Sequence, residues 1–215
     1  KMNQLFSKCM LCLSVICFLM GAVSPRAFAE PETAVAPAVA GSQVVQFVQE
    51  LGNKALTSLT AKELPHNERS QRVRNLLLQY FDIQAIGRFV LGAAWSRATE
   101  AERQEYLKLF EDMIVRTYTR RFAEYSGQSF EVKDVVPAGE DGKDSIVSSV
   151  INQPKDGPPV RVDWRVRDEG GTMKIVDVLV ENVSMSITQR ADFASIIQNG
   201  GMPALLKTLR NRPQL

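Results

Sequence analysis

The sequence predicts an α+β fold, a twisted four-stranded antiparallel sheet with several helices packed on one of its faces. Three observations carry this prediction. Apolar residues recur at helical spacing from residue 43 to about 125. From 129 to 183 the period drops to two, in four runs separated by turn chemistry. Helical spacing then returns over 189–211. Helices before a sheet and helices after it cover one sheet face and leave the other to water.

The chain has 215 residues, enough to bury a core of its own. Residues 1–29 read as a secretory signal peptide, with Lys1 and Lys8 ahead of the apolar run Met10–Val23. Ala27-Phe28-Ala29 then supplies a small-x-small cleavage pattern before Glu30. An uncleaved anchor helix is the rival reading, but the apolar run is short for one. Cys9, Cys12 and Cys17 all fall inside this segment, so the mature chain would carry no disulfide and no cysteine metal ligand. The bulky Ile16 before Cys17 argues against a lipidation site. The signal also holds Lys1, Lys8 and Arg26 and no acid. It thus takes 3 of the 26 basic residues and leaves 23 against 24 acidic ones, so no basic excess points to nucleic acid.

Residues 30–42, Pro- and Ala-rich, read as a flexible leader ahead of a domain over 43–211. Ser42 is a candidate N-cap for a helix over 43–59, with Val44, Phe47, Val48, Leu51 and Leu59 on one face. A second helix covers 67–80. The stretch "YFDIQAIGRFVLGAAW" follows (Tyr80–Trp95). Asp82 and Arg88 interrupt it and it is too short to span a bilayer, so it reads as a short helix capped by Asp82 and stopped by Gly92. Thr99 and Glu102 form a capping box for a long helix reaching about Tyr125, with Gly127 as its stop. Strands are predicted over 129–136, 144–152, 160–167 and 173–183. In the third, Val160, Val162, Trp164 and Val166 alternate with Arg161, Asp163, Arg165 and Arg167; in the fourth, Val176, Val178 and Val180 share a face. Two short helices, 189–198 and 203–211, close the chain.

Signals for catalysis are sparse. His66, the one histidine, lies in the polar loop "LPHNE" with no nucleophile motif beside it, and reads as a solvated loop residue. Asp163, Asp177 and Glu181 read as solvated strand positions. The chain has no Walker loop, dinucleotide fingerprint or His/Cys metal spacing, and no cofactor or metal is expected. Arg116, Arg120 and Arg121 cluster on the long helix. They suit an anionic headgroup or an acidic partner, or an ordinary solvated face beside Glu111, Asp112 and Glu124. The large side chains Phe89, Trp95, Phe110, Tyr118 and Phe122 face a valine-rich sheet. Small β-branched residues opposite large ones leave either a solid core or an apolar slot.

As an ordered set these stretches resemble the MlaC-type periplasmic lipid-binding family, also called the toluene-tolerance family. The motifs are the Tyr-Phe-Asp turn, Val-Leu-Gly before Trp95, the helix start "ATEAER", and "VDVLVENVS" followed by Arg190 and "FASII". The resemblance spans residues 43–211. It implies helices and sheet enclosing an apolar cavity for acyl chains. It also implies a periplasmic shuttle carrying phospholipid between an outer-membrane lipoprotein complex and an inner-membrane ABC transporter complex. The cavity wall would draw on Phe89, Trp95, Phe110, Ile114, Tyr118, Val162, Trp164, Val166, Val176, Val178 and Val180. Arg120, Arg121 and Arg190 would stand at its rim or on a docking face. Thr188-Gln189-Arg190 replaces the family's usual Asn-Tyr before the arginine. This leaves open a hopanoid lipid, the cargo associated with the related HpnM-like branch. Two rival classes stay in view, a non-catalytic envelope interaction module and a hydrolase on a cone-shaped fold.

Overall fold

A computed structural model describes residues 36–139, 142–154 and 157–211. The expected signal segment 1–29 and residues 30–35 of the expected leader lie outside the described residues. Helix α1 (Ala36–Leu59) begins earlier than predicted, so Ser42 lies within it rather than capping it. The alanine-rich composition that suggested a leader also favours helix. Helix α2 (His66–Tyr80) starts one residue before the predicted bound and places His66 in its first turn, exposed, rather than in a loop. The buried Arg69 closes the α1–α2 turn by donating to the Leu59 and Ala61 carbonyls at 3.0 and 2.8 Å.

Helix α3 (Ile83–Leu91) is capped as the sequence indicates. The Asp82 carboxylate accepts from the Ala85 N–H at 2.8 Å, and Gly92 ends the helix. A single turn, α4 (Ala94–Arg97), precedes α5 (Glu100–Ala123), whose Thr99–Glu102 capping box is complete. Helix α5 ends at Ala123, so Gly127 belongs to the turn beyond it. Five strands follow rather than four: β1 (Ser129–Ala138), β2 (Asp144–Asn152), β3 (Val160–Asp168), β4 (Met173–Val180) and β5 (Val183–Ser184). They pair antiparallel in chain order. The predicted fourth strand divides because Glu181 and Asn182 adopt φ of 49° and 63°, the left-handed geometry of a two-residue hairpin. The two predicted closing helices are segments of α6 (Met185–Arg210), which is broken at Gly200-Gly201 just before Pro203.

The apolar residues bury in two clusters. The helical cluster joins α2, α3, α5 and α6 around Tyr106, Phe110 and Phe193. Tyr106 stacks on Phe110 at 5.7 Å, and Phe193 stands edge-on to both. The Tyr106 hydroxyl donates to the Gly87 carbonyl at 2.9 Å, which satisfies it in the dry core. The second cluster packs Val44, Val48 and Leu51 of α1 and Tyr80 of α2 on Val147, Val166 and Ile175 of the sheet. Leu76 and Phe81 touch both clusters. The Tyr-Phe-Asp turn thus has a mechanical role: Phe81 bridges to Ile175, and the Asp82 N–H donates to the Ile175 carbonyl at 3.0 Å.

The opposite sheet face is drier than predicted. Asp144 is 1% exposed and accepts hydrogen bonds from Arg165 and Arg167. Asp163 is 3% exposed and accepts from Arg161 at 3.0 Å, so it is a paired buried carboxylate rather than a solvated one. Asp177 accepts from the Ser184 hydroxyl and the Ser186 N–H and so anchors the start of α6. Glu181 accepts from the Arg161 N–H.

Candidate functional site

Cross-strand register builds the sheet side of the site. Val147, Trp164 and Val178 form one row; Ser149, Val162 and Val180 form the next. Partners directly opposite in an antiparallel pair share a face, so these six residues point the same way. The polar atoms on this face are already satisfied. The Trp164 indole N–H donates to the Ser149 hydroxyl at 2.9 Å, and that hydroxyl donates to the Val162 carbonyl at 2.8 Å. Phe81 and Phe130 stand edge-on to the Trp164 ring. What this face presents is therefore apolar.

The third row corrects the predicted wall. Val166 pairs with Ile175 and Arg165 with Asp177, which leaves Val176 as the unpaired residue of a β-bulge. The bulge breaks the alternation, so Ile175 takes the core position next to Val166. Val176 instead borders a cleft of about 250 Å³ with Asp82, Arg167, Glu169, Thr172 and Lys174. That cleft is charged, is smaller than ordinary ligand pockets of roughly 300–1,000 Å³, and is distinct from the apolar rows. Its Lys174 is already engaged, donating to the Leu78 and Gln79 carbonyls at the end of α2.

The helical side comes from one stripe of α5. Phe110, Ile114 and Tyr118 follow at intervals of four and share a face. Packing loosens along this stripe: Phe110 is 2% exposed, Ile114 is half-buried and Tyr118 is 37% exposed. Tyr118 combines two properties. The residue is partly exposed, yet burial raises its phenol above the ordinary range, against the opposing charge of Arg121. On the sheet, Val162 is buried but belongs to neither cluster, and Val178 and Val180 are half-buried. Incompletely covered apolar surface thus occurs both along α5 and on the sheet rows.

Two of the predicted wall residues are placed differently. Phe89 is 44% exposed on the outer face of α3, with the Arg190 guanidinium 5.2 Å from its ring centre. Trp95 packs on the helical cluster with its ring held by Arg88 at 5.2 Å and Arg103 at 5.3 Å. Of the rim candidates, Arg120 and Arg121 are exposed in the last turn of α5, where cations suit the helix C-terminus. Arg190 lies instead against α3 and Gly92. Sequence reasoning misses Gln189. It lies on the inward stripe of α6 between buried Ser186 and Phe193, and its amide nitrogen is sealed from solvent with no acceptor. The signal was its spacing of three from Ser186 and four from Phe193. Among the described residues, no group of three or more His, Cys, Asp or Glu is arranged to hold a metal, and no helix is long and apolar enough to cross a membrane.

This arrangement has counterparts. The chain is 26% identical to a phospholipid-binding protein from Ralstonia solanacearum, solved in complex with a phospholipid at 1.53 Å resolution. The two superpose with a TM-score of 0.65 over 77% of this chain and 93% of that one. It is also 23% identical over 180 residues to the intermembrane phospholipid transport system binding protein MlaC of Haemophilus influenzae, across 80% of this chain and 83% of that protein. The model of the MlaC protein family matches residues 49–211, from within α1 to the residue after α6. The chain belongs to the MlaC protein family.

Proposed function

We propose that this protein is a non-catalytic periplasmic carrier that holds phospholipid tails against the apolar rows of the sheet and the α5 stripe, and shuttles them between transport complexes of the two membranes. The observation that carries this reading is the superposition on a phospholipid-bound protein over nearly its whole length, in a chain whose sheet and α5 both leave apolar surface half-covered. The candidate wall is Ile114 and Tyr118 of α5 together with Val162, Trp164, Val178 and Val180 of the sheet. Each methylene buried there is worth about 0.8 kcal/mol against water. A two-tailed lipid therefore does not escape into water at a useful rate. Handover belongs at a membrane complex, where the tails pass from one apolar surface to another. The inner-membrane ABC transporter complex and the outer-membrane lipoprotein complex are the proposed partners.

A hopanoid cargo is the second reading, carried by Thr188-Gln189-Arg190 standing where the family has Asn-Tyr before the arginine; whichever lipid is bound, Gln189 has a buried amide donor to satisfy. A buried amide donor without an acceptor costs about 1–3 kcal/mol. An oxygen of the bound lipid, an ester carbonyl or a hydroxyl, would satisfy it. Native mass spectrometry of the exported protein, followed by extraction, distinguishes the cargoes. Phosphorus-bearing lipid is the expected result. A phosphorus-free polycyclic lipid would select the hopanoid reading, and a chain with no lipid would favour an envelope interaction module. The same intact mass checks the proposed export, since a cleaved signal places the N-terminus at Glu30.

A further inference from the structure

We propose that the outer face made by α3, α4 and the first half of α6 is a contact surface for an anionic lipid bilayer. The face combines exposed apolar side chains with unpaired cations. Ile187 is 59% exposed and lies three residues before Arg190, one turn away on the same side of α6. Arg190 in turn reaches across to the exposed ring of Phe89 on α3. Arg88, exposed beside Phe89 on α3, lies over the Trp95 ring, and Arg97 stands exposed at the end of α4. From Ile83 to Arg97 there are two arginines and no acidic residue; from Met185 to Asn199, Arg190 faces a single acid, Asp192. Among the described residues, Arg88, Arg97 and Arg190 form no ion pair with a carboxylate.

Charge and shape select the occupant. The face sets an exposed phenylalanine and isoleucine beside three arginines that, among the described residues, no carboxylate pairs. The interface of a bilayer takes both kinds at once, with apolar side chains entering the acyl boundary and guanidiniums on the phosphates. Arg190 is held in place for this. Gly92 has φ 58° and ψ −134°, and a Cβ there would come within 2.9 Å of the Arg190 Nε. The Val-Leu-Gly motif and the distant arginine, separate in sequence, are thus one structural unit. For a carrier, such a surface keeps the loaded protein at the membrane while it finds a transport complex; the inference rests on the carrier reading for this purpose alone.

Flotation of the mature protein with vesicles tests it. Vesicles of phosphatidylcholine containing phosphatidylglycerol should carry the protein, pure phosphatidylcholine vesicles much less, and added salt should weaken the association. Arg97→Gln and Arg190→Gln should each lower binding by about fivefold, and Ile187→Ser should lower it while leaving lipid loading unchanged. Arg97 and Ile187 are exposed, so these variants keep the test open if Arg190→Gln disturbs α3. Failure of the wild type to float with anionic vesicles would overturn the proposal, as would unchanged binding by Arg97→Gln and Ile187→Ser. Lipid extracted from the same samples keeps the two ideas apart: an unloaded protein that floats counts against the carrier and for the surface.

Discussion

Asp144 shows how much a single charged side chain on the outer sheet face matters. The hydrogen bond from Arg167 is the main cause that holds its carboxyl below the ordinary carboxylate range; burial opposes this and Arg165 adds to it. A carboxylate depressed in the folded state stabilises the fold above its unfolded pKa, near 4. That stability is lost as pH falls through the lower folded value. Asp144→Asn keeps the shape and removes the charge. The arginines are about two-fifths exposed, which screens the pair, so the expected cost at neutral pH is roughly 2 kcal/mol rather than the full cost of breaking a buried pair. Urea titrations from pH 7 downward check this: the gap between wild type and variant should narrow progressively once pH falls below the unfolded value, as the unfolded chain takes up a proton that the folded Asp144 carboxylate resists.

At the scale of the element, the short α3 is fixed at both ends by groups outside it. Asp82 caps its start and ties it to β4, while Gly92 ends it under Arg190. Gly92→Ala should destabilise through two separate effects. The backbone at φ 58°, ψ −134° is one that residues with a Cβ avoid, at a cost of about 1–3 kcal/mol. The added methyl would also push the Arg190 side chain away from Phe89. Thermal denaturation should show the loss, and restoring glycine alone should reverse it. An alanine variant as stable as wild type would mean that neither constraint operates.

For the whole molecule, the decisive property is that its apolar residues form two clusters with partly covered surface on each, rather than one closed core. Val178→Phe tests this. If Val178 borders space, the larger side chain fills it, lipid loading falls, and the melting temperature moves by less than about 4 °C. If Val178 is packed solid, overpacking costs roughly 1–3 kcal/mol; the melting temperature then drops further and lipid loading is unaffected. Lipid phosphorus per protein and a thermal melt, measured together, separate the two outcomes.

The sequence by itself determined the class of fold, the order of its elements, the caps of α3 and α5, and the family. These depend on local signals: apolar periodicity, the Asp82 and Thr99–Glu102 caps, and the turn residues between strands. It also determined the face shared by Val162, Trp164 and Val166, because β3 alternates without interruption. Only the tertiary structure decided the rest. The bulge at Val176 moves Ile175 into the core, and an extra residue in a strand shows itself only when the partner strand is laid beside it. Phe89 and Tyr118 carry the same hydrophobic signal as Phe110, yet they are exposed, because helical spacing gives the direction of a side chain relative to its own helix and says nothing about what stands opposite. Gly92 and Arg190 meet although they lie 98 positions apart in the chain. Their contact, like the pairing of buried Asp144 on β2 with Arg165 and Arg167 on β3, depends on how separate elements pack, and no local pattern in the chain records it.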